Sequence, residues 1–502
     1  MSVKSGFVIS AVLQKIMAVI FGATLVVLNV IRILNIPITC DENGYSGKGD
    51  YDSYIGLAQD KFGSANNHIL HSLFRKFFVD NFGNTLFTLR VDSLLAQISF
   101  LIFSYLICRL LFENRWWQLG GYIILNLVSP LIFNFWGLSR GYGLALSFMT
   151  ISVYFLLKYT TDRKALSLIL SFFGAILSVY SNFGYINYYL TLCGVLVIQF
   201  LLFPDSRKKN SFIRELLILV FSSGILALLI VGPLQCVYRN GELAFMGNSG
   251  FIHDTVVSVV TWGLELPGQS REAQVEIITW LAIALTVIFG IFWCYTFLRK
   301  YRISAETDVP IKYGVTFFLL LILPVISLIA QHLLFGINYL TDRAALFFII
   351  LFMLNTIYVL YCIRGVSKML STAVFLAVFL LTSYNFCSKA NVNTTILWYF
   401  NAGDLAILRK INSETNKPGK LKLGVSWISE TALRYDIEHY YPGKLYPPVV
   451  ISHLPAIDTT FDYFYVDLDD FKKLPVGYER DTSCIGGGFV LLKKIEKLPG
   501  AK

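Results

Sequence analysis

Long apolar runs separated by short polar segments make up most of the chain. The hydrocarbon core of a bilayer is crossed by a helix of about 20 apolar residues, and most of the runs reach or approach that length. The pattern therefore predicts an α-helical polytopic membrane protein with about eleven transmembrane helices. We expect them at 8–34, 91–111, 117–136, 141–157, 165–180, 184–203, 213–234, 276–298, 313–335, 344–362 and 369–386.

Basic residues mark every second loop between these runs. The short loops that follow the even-numbered helices hold most of the arginines and lysines, whereas the intervening short loops hold little beyond Arg140 and Arg343. Because cytoplasmic loops are enriched in Lys and Arg, this asymmetry predicts an N-terminus inside and a C-terminus outside. The first run is too long for the apolar region of a signal peptide, so we expect it to remain as a helix.

Three segments depart from the pattern of membrane spans. The first outer loop, 35–88, contains two predicted helices at 50–60 and 68–82, and the second of these has an apolar stripe opposite a polar side. A second outer loop covers 235–275. After the transmembrane domain, 1–386, the tail 387–502 alternates polar and apolar stretches, which predicts a small extracytoplasmic α/β domain.

Within that tail, the periodicity indicates helices and short strands in alternation. The helices are expected at 402–412 and 430–440, and the strands at 421–427, 448–452, 463–467 and 488–493.

Composition and charge agree with a membrane protein. Hydrophobic residues make up 55% of the chain and charged residues 15%, too few to cover a water-soluble surface of 502 residues. The formal net charge is +10, but the basic residues lie in loops between apolar runs and form no phosphate-binding stripe. Membrane lipids are thus expected as partners, and nucleic acid is not.

A run of carboxylates follows the first predicted helix. Asp41 and Glu42 lie at the membrane boundary, and Asp50 and Asp52 come shortly after them. A carboxylate in such a position can act as a general base, or hold a divalent metal ion that faces a phosphate. A solvated acidic loop is the simpler interpretation of the same residues taken alone.

Basic and histidine side chains supply a second group of candidates on the same predicted side. Arg140 opens the fourth helix and Arg343 precedes the tenth, and arginine can bind phosphate through two parallel hydrogen bonds. A lone arginine at this depth could equally extend to lipid headgroups. His68 and His71 are spaced to share one helical face, where they could contact a substrate or form only a polar covering.

These segments resemble the membrane glycosyltransferases of the C-type fold, especially bacterial relatives of protein O-mannosyltransferases and lipid A aminoarabinose transferases. The resemblance rests on Asp41-Glu42 after the first helix, on SRGYGLAL at 139–146, which is similar to the family's Arg-x-Tyr signature, and on NNHILHSL at 66–73. It covers about 1–390 in architecture.

The family resemblance implies a sugar donor linked to a polyprenyl phosphate or diphosphate, and an acid in the first outer loop that serves as base or supports a metal. Carried over, the base is Asp41, with Glu42 as the second candidate. Because the glycine-rich stretch 43–49 intervenes, Asp50 and Asp52 stay open as alternatives. The implied phosphate and substrate contacts are Arg140, Arg343, Tyr142, His68, Asn67 and His71.

The sequence thus predicts a glycosyltransferase that moves a hexosyl or pentosyl group from a polyprenyl-phosphate donor to a protein, lipid or glycan acceptor on the outer face of a bacterial inner membrane. No certain cofactor follows, and a metal ion would be held by Asp41 and Glu42. A transporter or flippase of lipid-linked sugars and a non-catalytic assembly protein are the alternatives. Transporters usually have internal repeats and polar mid-membrane helices, whereas this sequence has no matching halves and few charges at the centres of its helices.

Overall fold

The chain folds into two units, which we call the helical unit and the sheet unit. The helical unit comprises residues up to Val30 and from Asp52 to Ala390, and the sheet unit comprises Ile31–Tyr51 and Asn391–Lys502. The computed structural model describes residues 10–43, 53–60, 63–64, 67–202, 209–242, 247–266, 271–303, 309–414, 420–454, 460–475, 477–486 and 488–495.

The helical unit consists of α-helices joined by short turns. Its helices, the first of which extends into the sheet unit, are α1 (Ala11–Asn35), α3 (Tyr54–Ala58), α4 (Ile69–Phe82), α5 (Leu86–Leu111), α6 (Arg115–Leu127), α7 (Pro130–Phe135), α8 (Gly141–Asp162), α9 (Ala165–Ser181), α10 (Ile186–Leu202), α11 (Lys209–Arg239), α12 (Val257–Gly263), α13 (Glu272–Ile303), α14 (Val309–Phe335), α15 (Phe347–Ile363) and α16 (Lys368–Lys389). Three short turns add to them: a 3-10 turn at Phe183–Tyr185, a π turn at Phe251–Val256 and a 3-10 turn at Asp342–Ala345.

The predicted class of helical multi-pass membrane protein is confirmed, with two differences in the spans. Nine helices in the described part of the chain have the length and hydropathy to cross a bilayer. The predicted span 165–180 is the shorter α9, of 17 residues. The span predicted at 117–136 is wrong as one helix, because it divides into α6 and α7 before Pro130. Proline disfavours helical backbone at the residue before it, and Ser129 caps the new helix by accepting from Ile132 N at 3.3 Å.

Helices α8 and α9 form a closely packed pair that sets the position of the candidate site. Gly174 allows the approach, since a Cβ there would lie 2.9 Å from the Phe148 carbonyl oxygen. Nearer the C-terminal end of α9, the Ser178 hydroxyl donates to the Ala145 carbonyl at 2.7 Å. Small residues and serine hydroxyls allow this kind of close helix packing in apolar surroundings. As a result, the first residue of α8 lies beside the last turn of α9.

Helix α4 confirms the predicted amphipathic helix of the first outer loop, but its polar side is turned inward. His71 is buried, whereas Phe74 and Phe77 are 37% and 48% exposed. The alternative interpretation of His68 and His71 as a polar covering is therefore wrong, because both are buried. In a membrane protein the apolar face of a helix can contact lipid. The polar face of α4 therefore packs against the other helices of the unit.

The sheet unit contains a five-stranded sheet with helices on one face. Its elements are α2 (Cys40–Asn43), α17 (Asp404–Glu414), β1 (Leu423–Val425), α18 (Trp427–Tyr440), β2 (Val449–Val450), β3 (Tyr463–Asp467), α19 (Leu468–Phe471), β4 (Tyr478–Gly486) and β5 (Phe489–Lys494), with 3-10 turns at Tyr399–Gly403 and Ile451–His453. The strand order is β2-β1-β3-β5-β4; the first three strands are parallel, and β5 pairs antiparallel with both β3 and β4.

Strand β3 is buried on both of its faces. Tyr463 and Tyr465 belong to one apolar cluster, which includes residues of α17 and α18, and Phe464 and Val466 belong to another. Side chains alternate between the two faces of a strand, so an uninterrupted apolar run is expected where both faces are covered. The predicted α/β fold of the tail is thus confirmed, with edge strand β4 as an addition.

Candidate functional site

Tyr142 is the centre of a cluster of basic and aromatic side chains in the helical unit. The guanidinium carbons of Arg140 and Arg343 lie 5.7 Å and 6.0 Å from the centre of its ring. Arg343 Nε also donates to the Tyr142 hydroxyl at 3.0 Å. The His68 ring contacts Tyr142 edge-on, with 4.5 Å between centroids, and Phe135 packs against it at 4.6 Å. Three predicted contact residues, His68, Arg140 and Arg343, thus meet at the fourth, Tyr142.

The arginines are held by different elements. Arg140 is the N-cap of α8 and is 1% exposed, so its charge lies inside the protein. Arg343 is half-buried in the 3-10 turn Asp342–Ala345. That turn is hydrogen-bonded to α12 through Ser258, whose hydroxyl accepts from Asp342 N at 2.8 Å. Thr255 adds a second tie by donating to the Leu340 carbonyl at 2.7 Å.

His68 lies where α4 begins, between the ends of α8 and α9. Its Nδ1 lies 3.1 Å from the Ser181 carbonyl oxygen, and the residue is 5% exposed. Burial, together with the positive charge of Arg140 and the nearby His71 and Arg343, holds the pKa of His68 well below its usual value. The imidazole is therefore neutral near pH 7 and lies in a positive field.

A buried chain of hydrogen bonds leads from α5 to the residue before Arg140. His71 Nδ1 lies 2.5 Å from an Asp92 carboxylate oxygen, and His71 Nε2 lies 3.0 Å from the Ser139 hydroxyl. The order of the three groups is that of a serine-hydrolase triad. Ser139 is only 2% exposed, however, so this chain fixes the backbone that carries Arg140.

Asn67 connects the cluster to a carboxylate that the sequence analysis did not single out. The Asn67 amide donates to Asp60 at 2.8 Å and accepts from the Ser72 hydroxyl at 2.7 Å. Burial raises the pKa of Asp60 to about 6, although the hydrogen bond from Asn67 lowers it. A carboxyl group with such a pKa can exchange a proton near neutral pH.

Of Asp60 and Asp92, only Asp92 has a signal in the sequence. An acidic residue inside an apolar helix, such as Asp92, is a functional hypothesis by default. Asp60 has no comparable signal, because its burial comes from tertiary packing.

The structure describes two of the four predicted catalytic acids. Asp41 and Glu42 belong to the sheet unit, in α2, while Asp50 and Asp52 lie outside the described residues. Glu42 is 1% exposed, and its carboxylate accepts from Thr39 N at 2.8 Å. Asp41 is partly exposed.

The metal ion predicted at Asp41 and Glu42 stays a prediction. In the parts of the chain that the structure describes, no group of three or more His, Cys, Asp and Glu side chains is arranged to hold one. Glu42 uses its carboxylate to cap a backbone amide. We therefore derive no step through a metal.

A cavity of about 1,040 Å³ lies in the helical unit beside the segment that supports Arg343. Its walls are mainly apolar and come from the π turn, α12, α13 and α14. The lining residues used below are Val257 and Thr261, which share α12 with Ser258. Glu272 and Glu276 also line the cavity, on the side formed by α13.

Comparisons with known proteins find similarity in solved structures only. No family model and no curated protein matches the sequence. ArnT from Cupriavidus metallidurans bound to undecaprenyl phosphate is 13% identical, with 98% of this chain and 100% of that chain covered and a TM-score of 0.45. The archaeal oligosaccharyltransferase AglB from Archaeoglobus fulgidus, in complex with an inhibitory peptide and a dolichol-phosphate, is 10% identical over 89% of this chain and 69% of that chain, with a TM-score of 0.41.

The arabinosyltransferase EmbB from Mycobacterium smegmatis is 11% identical over 80% of this chain and 44% of that chain, with a TM-score of 0.34. These neighbours are glycosyltransferases of the C-type fold, the class that the sequence resembles. At TM-scores below 0.5, the likeness assigns neither a family nor residue roles to this chain.

Gly141 is where the site is most sensitive to added volume. A Cβ at this position would meet the Ser181 carbonyl oxygen and lie 2.5 Å from His68 Cβ. We expect Gly141→Ala to displace His68, to lower the thermal unfolding temperature and to reduce ligand binding at least about tenfold. Gly224→Ala in α11 is the matched control, since nothing lies within 4 Å of its Cβ position. Equal behaviour of the two variants would contradict the close packing around His68.

Proposed function

We propose that this protein is a glycosyltransferase that uses a sugar linked to a polyprenyl phosphate and acts on the extracytoplasmic face of the membrane. The observation that carries the proposal is the arrangement of Arg140 and Arg343 around Tyr142. It supports a binding site for a phosphate group inside a membrane protein.

Two guanidinium groups at one tyrosine suit a phosphate better than they suit a structural role alone. Arg140 is almost fully buried, so a phosphate bound beside it would interact with its charge in surroundings of low polarity, where attraction between charges is stronger than in water. Guanidinium groups match phosphate oxygens through paired hydrogen bonds, and stacking on an aromatic ring holds them in place. The edge of Tyr142 also fixes Arg343 through the hydroxyl group.

The same arrangement fits the chemistry of sugar transfer. When the bond between the anomeric carbon and the phosphate oxygen breaks, its electrons remain on the phosphate, whose negative charge increases. Preorganised donors that face the developing charge lower the barrier of such a step. Arg140 and Arg343 would therefore act chiefly in the transition state, where the charge is greatest.

The apolar cavity supports a lipid-linked donor. Val257 and Thr261 line it, and Ser258 on the same helix binds the backbone of the turn that carries Arg343. A prenyl chain in the cavity would have its phosphate directed toward Arg343, because Glu272 and Glu276 on the α13 side would repel that group.

Activation of the acceptor hydroxyl is assigned to the acids of the first outer loop, as the sequence resemblance implies. Of the two that the structure describes, Asp41 is the stronger candidate. Its carboxylate is partly exposed, whereas that of Glu42 is buried and caps a backbone amide. The acceptor itself and the sugar stay undefined in this proposal.

Removal of Arg140 tests its role in binding the phosphate. Arg140→Ala is expected to reduce turnover at least about 100-fold, because the loss of one donor to a developing oxyanion has an effect of this size. The measurement is release of polyprenyl phosphate from a panel of radiolabelled polyprenyl-phosphate sugars by the purified protein in detergent. Arg140→Lys, which keeps the charge and loses the planar fork, should retain a part of the activity.

Arg109→Ala is the matched control for that experiment. Arg109 lies in the last turn of α5 and also approaches a tyrosine, with its guanidinium carbon 5.9 Å from the ring of Tyr105. Its removal should leave turnover unchanged. Wild-type turnover in Arg140→Ala would exclude the phosphate role.

Substitution of Asp41 and of Glu42 distinguishes the general base from the carboxylate that caps a backbone amide. Asp41→Asn should abolish transfer and leave the thermal unfolding temperature within a few degrees of wild type. Glu42→Gln should instead lower that temperature, since it weakens a buried cap, and should retain turnover per folded molecule. The two readouts are transfer and thermal unfolding by intrinsic fluorescence. The reverse assignment, with transfer lost only in Glu42→Gln, would contradict this choice of base.

A further inference from the structure

The hydrogen bond made by His68 defines which of its ring nitrogens carries the proton. Nδ1 faces the Ser181 carbonyl oxygen, which can only accept, so Nδ1 donates. In the neutral ring the lone pair is then on Nε2. That atom is buried and has no hydrogen-bond partner within the described residues. An unpartnered acceptor in such a position is costly, and a ligand that supplies a proton or a donor would satisfy it.

The His68 side chain is buried among positively charged and aromatic groups. The charged and titratable groups that face it are Arg140 at the start of α8, Arg343 in its 3-10 turn and His71 on its own helix. The ring of Tyr142 and the backbone of Ser181 contact it as well. Burial is the main reason that the pKa of His68 is low, and the nearby positive charges lower it further; an anion bound at the arginines would offset the contribution of those charges.

We propose that His68 takes up one proton when a phosphate binds at Arg140 and Arg343, and that its Nε2–H then donates to a phosphate oxygen. This inference rests on the proposed function. It makes His68 a proton-carrying ligand of the phosphate, in addition to the two permanent charges.

The proton has a defined course in the transfer reaction. The bond from the anomeric carbon to the phosphate oxygen breaks, and its electron pair stays on that oxygen. The acceptor oxygen bonds to the anomeric carbon. The proton of the acceptor hydroxyl passes to the general base, for which Asp41 is proposed, and then to water. The Nε2 proton of His68 moves to the leaving phosphate. The products are the glycoside, a phosphate monoester that carries one proton, and neutral His68.

Linkage fixes the direction of the pH dependence. If binding takes up a proton, affinity must increase as pH falls. The dependence reaches at most about tenfold per pH unit, between the pKa of His68 in the free protein and its higher pKa in the complex. Above both values the affinity becomes constant and weaker.

The test is calorimetric titration of the full-length protein in detergent with undecaprenyl methyl phosphate. This diester carries one charge that does not titrate near neutral pH, so the proton must be taken up by the protein. Binding heats measured at pH 7 in buffers of different ionisation enthalpy give the number of protons. We expect about one for the wild type.

His68→Asn keeps a donor for Ser181 and lacks Nε2, so it should bind with about zero protons taken up. His332→Asn is the matched control. The Nδ1 of His332 also donates to a backbone carbonyl, that of Ile337, at 2.9 Å, and its ring stacks on Tyr339. This control should take up the wild-type number of protons.

A wild-type measurement is independent of whether the variants fold. Nitrogen NMR of protein labelled in its six histidines should show one Nε2 signal moving from the lone-pair to the protonated position when the diester is added. Binding without proton uptake, or an unchanged proton number in His68→Asn, would overturn the inference and leave the proposed function standing. Absence of binding to the wild type would overturn both.

Discussion

The burial of Arg140 next to Tyr142 is the constraint on which the site depends. A guanidinium that is 1% exposed in an apolar bundle has to be held, because its transfer from water is costly. The structure holds it from two directions: the chain Asp92–His71–Ser139 fixes the preceding residue, and the ring of Tyr142 lies beside the charge. The positions of Arg140 and Tyr142 are thus set by the protein itself, as the proposed phosphate site requires.

Close helix packing makes this arrangement possible. Glycine and serine let α8 approach α9, and Gly141 leaves the space that His68 occupies next to Ser181. Burial and, in addition, the positive charge of the arginines hold the pKa of His68 well below its usual value, so the imidazole is neutral. Two fixed cations and one histidine that can gain a proton would give the site a charge that adjusts to the phosphate.

The sequence was sufficient to predict the helices, because apolar runs of membrane length have few other structures open to them. It also indicated Arg140 and Arg343, since charged residues are rare at that depth. Composition and spacing did not indicate that His68 and Tyr142 join them, because that depends on packing between distant segments; only the family resemblance implied it. The inward orientation of the polar face of α4 was missed because an apolar stripe looks the same in the sequence whether it faces lipid or protein. Strand β4 was missed because its Glu479, Arg480 and Asp481 are typical of an exposed edge strand and interrupt any apolar run.

The central claim is that Arg140 and Arg343 form a phosphate site, and the most direct measurement is a binding preference. Undecaprenyl phosphate and undecaprenol, which differ only in the phosphate, compete for the protein in nanodiscs, with bound lipid counted by native mass spectrometry. The account predicts that the wild type prefers the phosphate at least about tenfold, since charge-assisted hydrogen bonds contribute about 1.5–3 kcal/mol each. Arg343→Ala should lose most of that preference and bind undecaprenol as before. Equal binding of the two lipids by the wild type would contradict the claim.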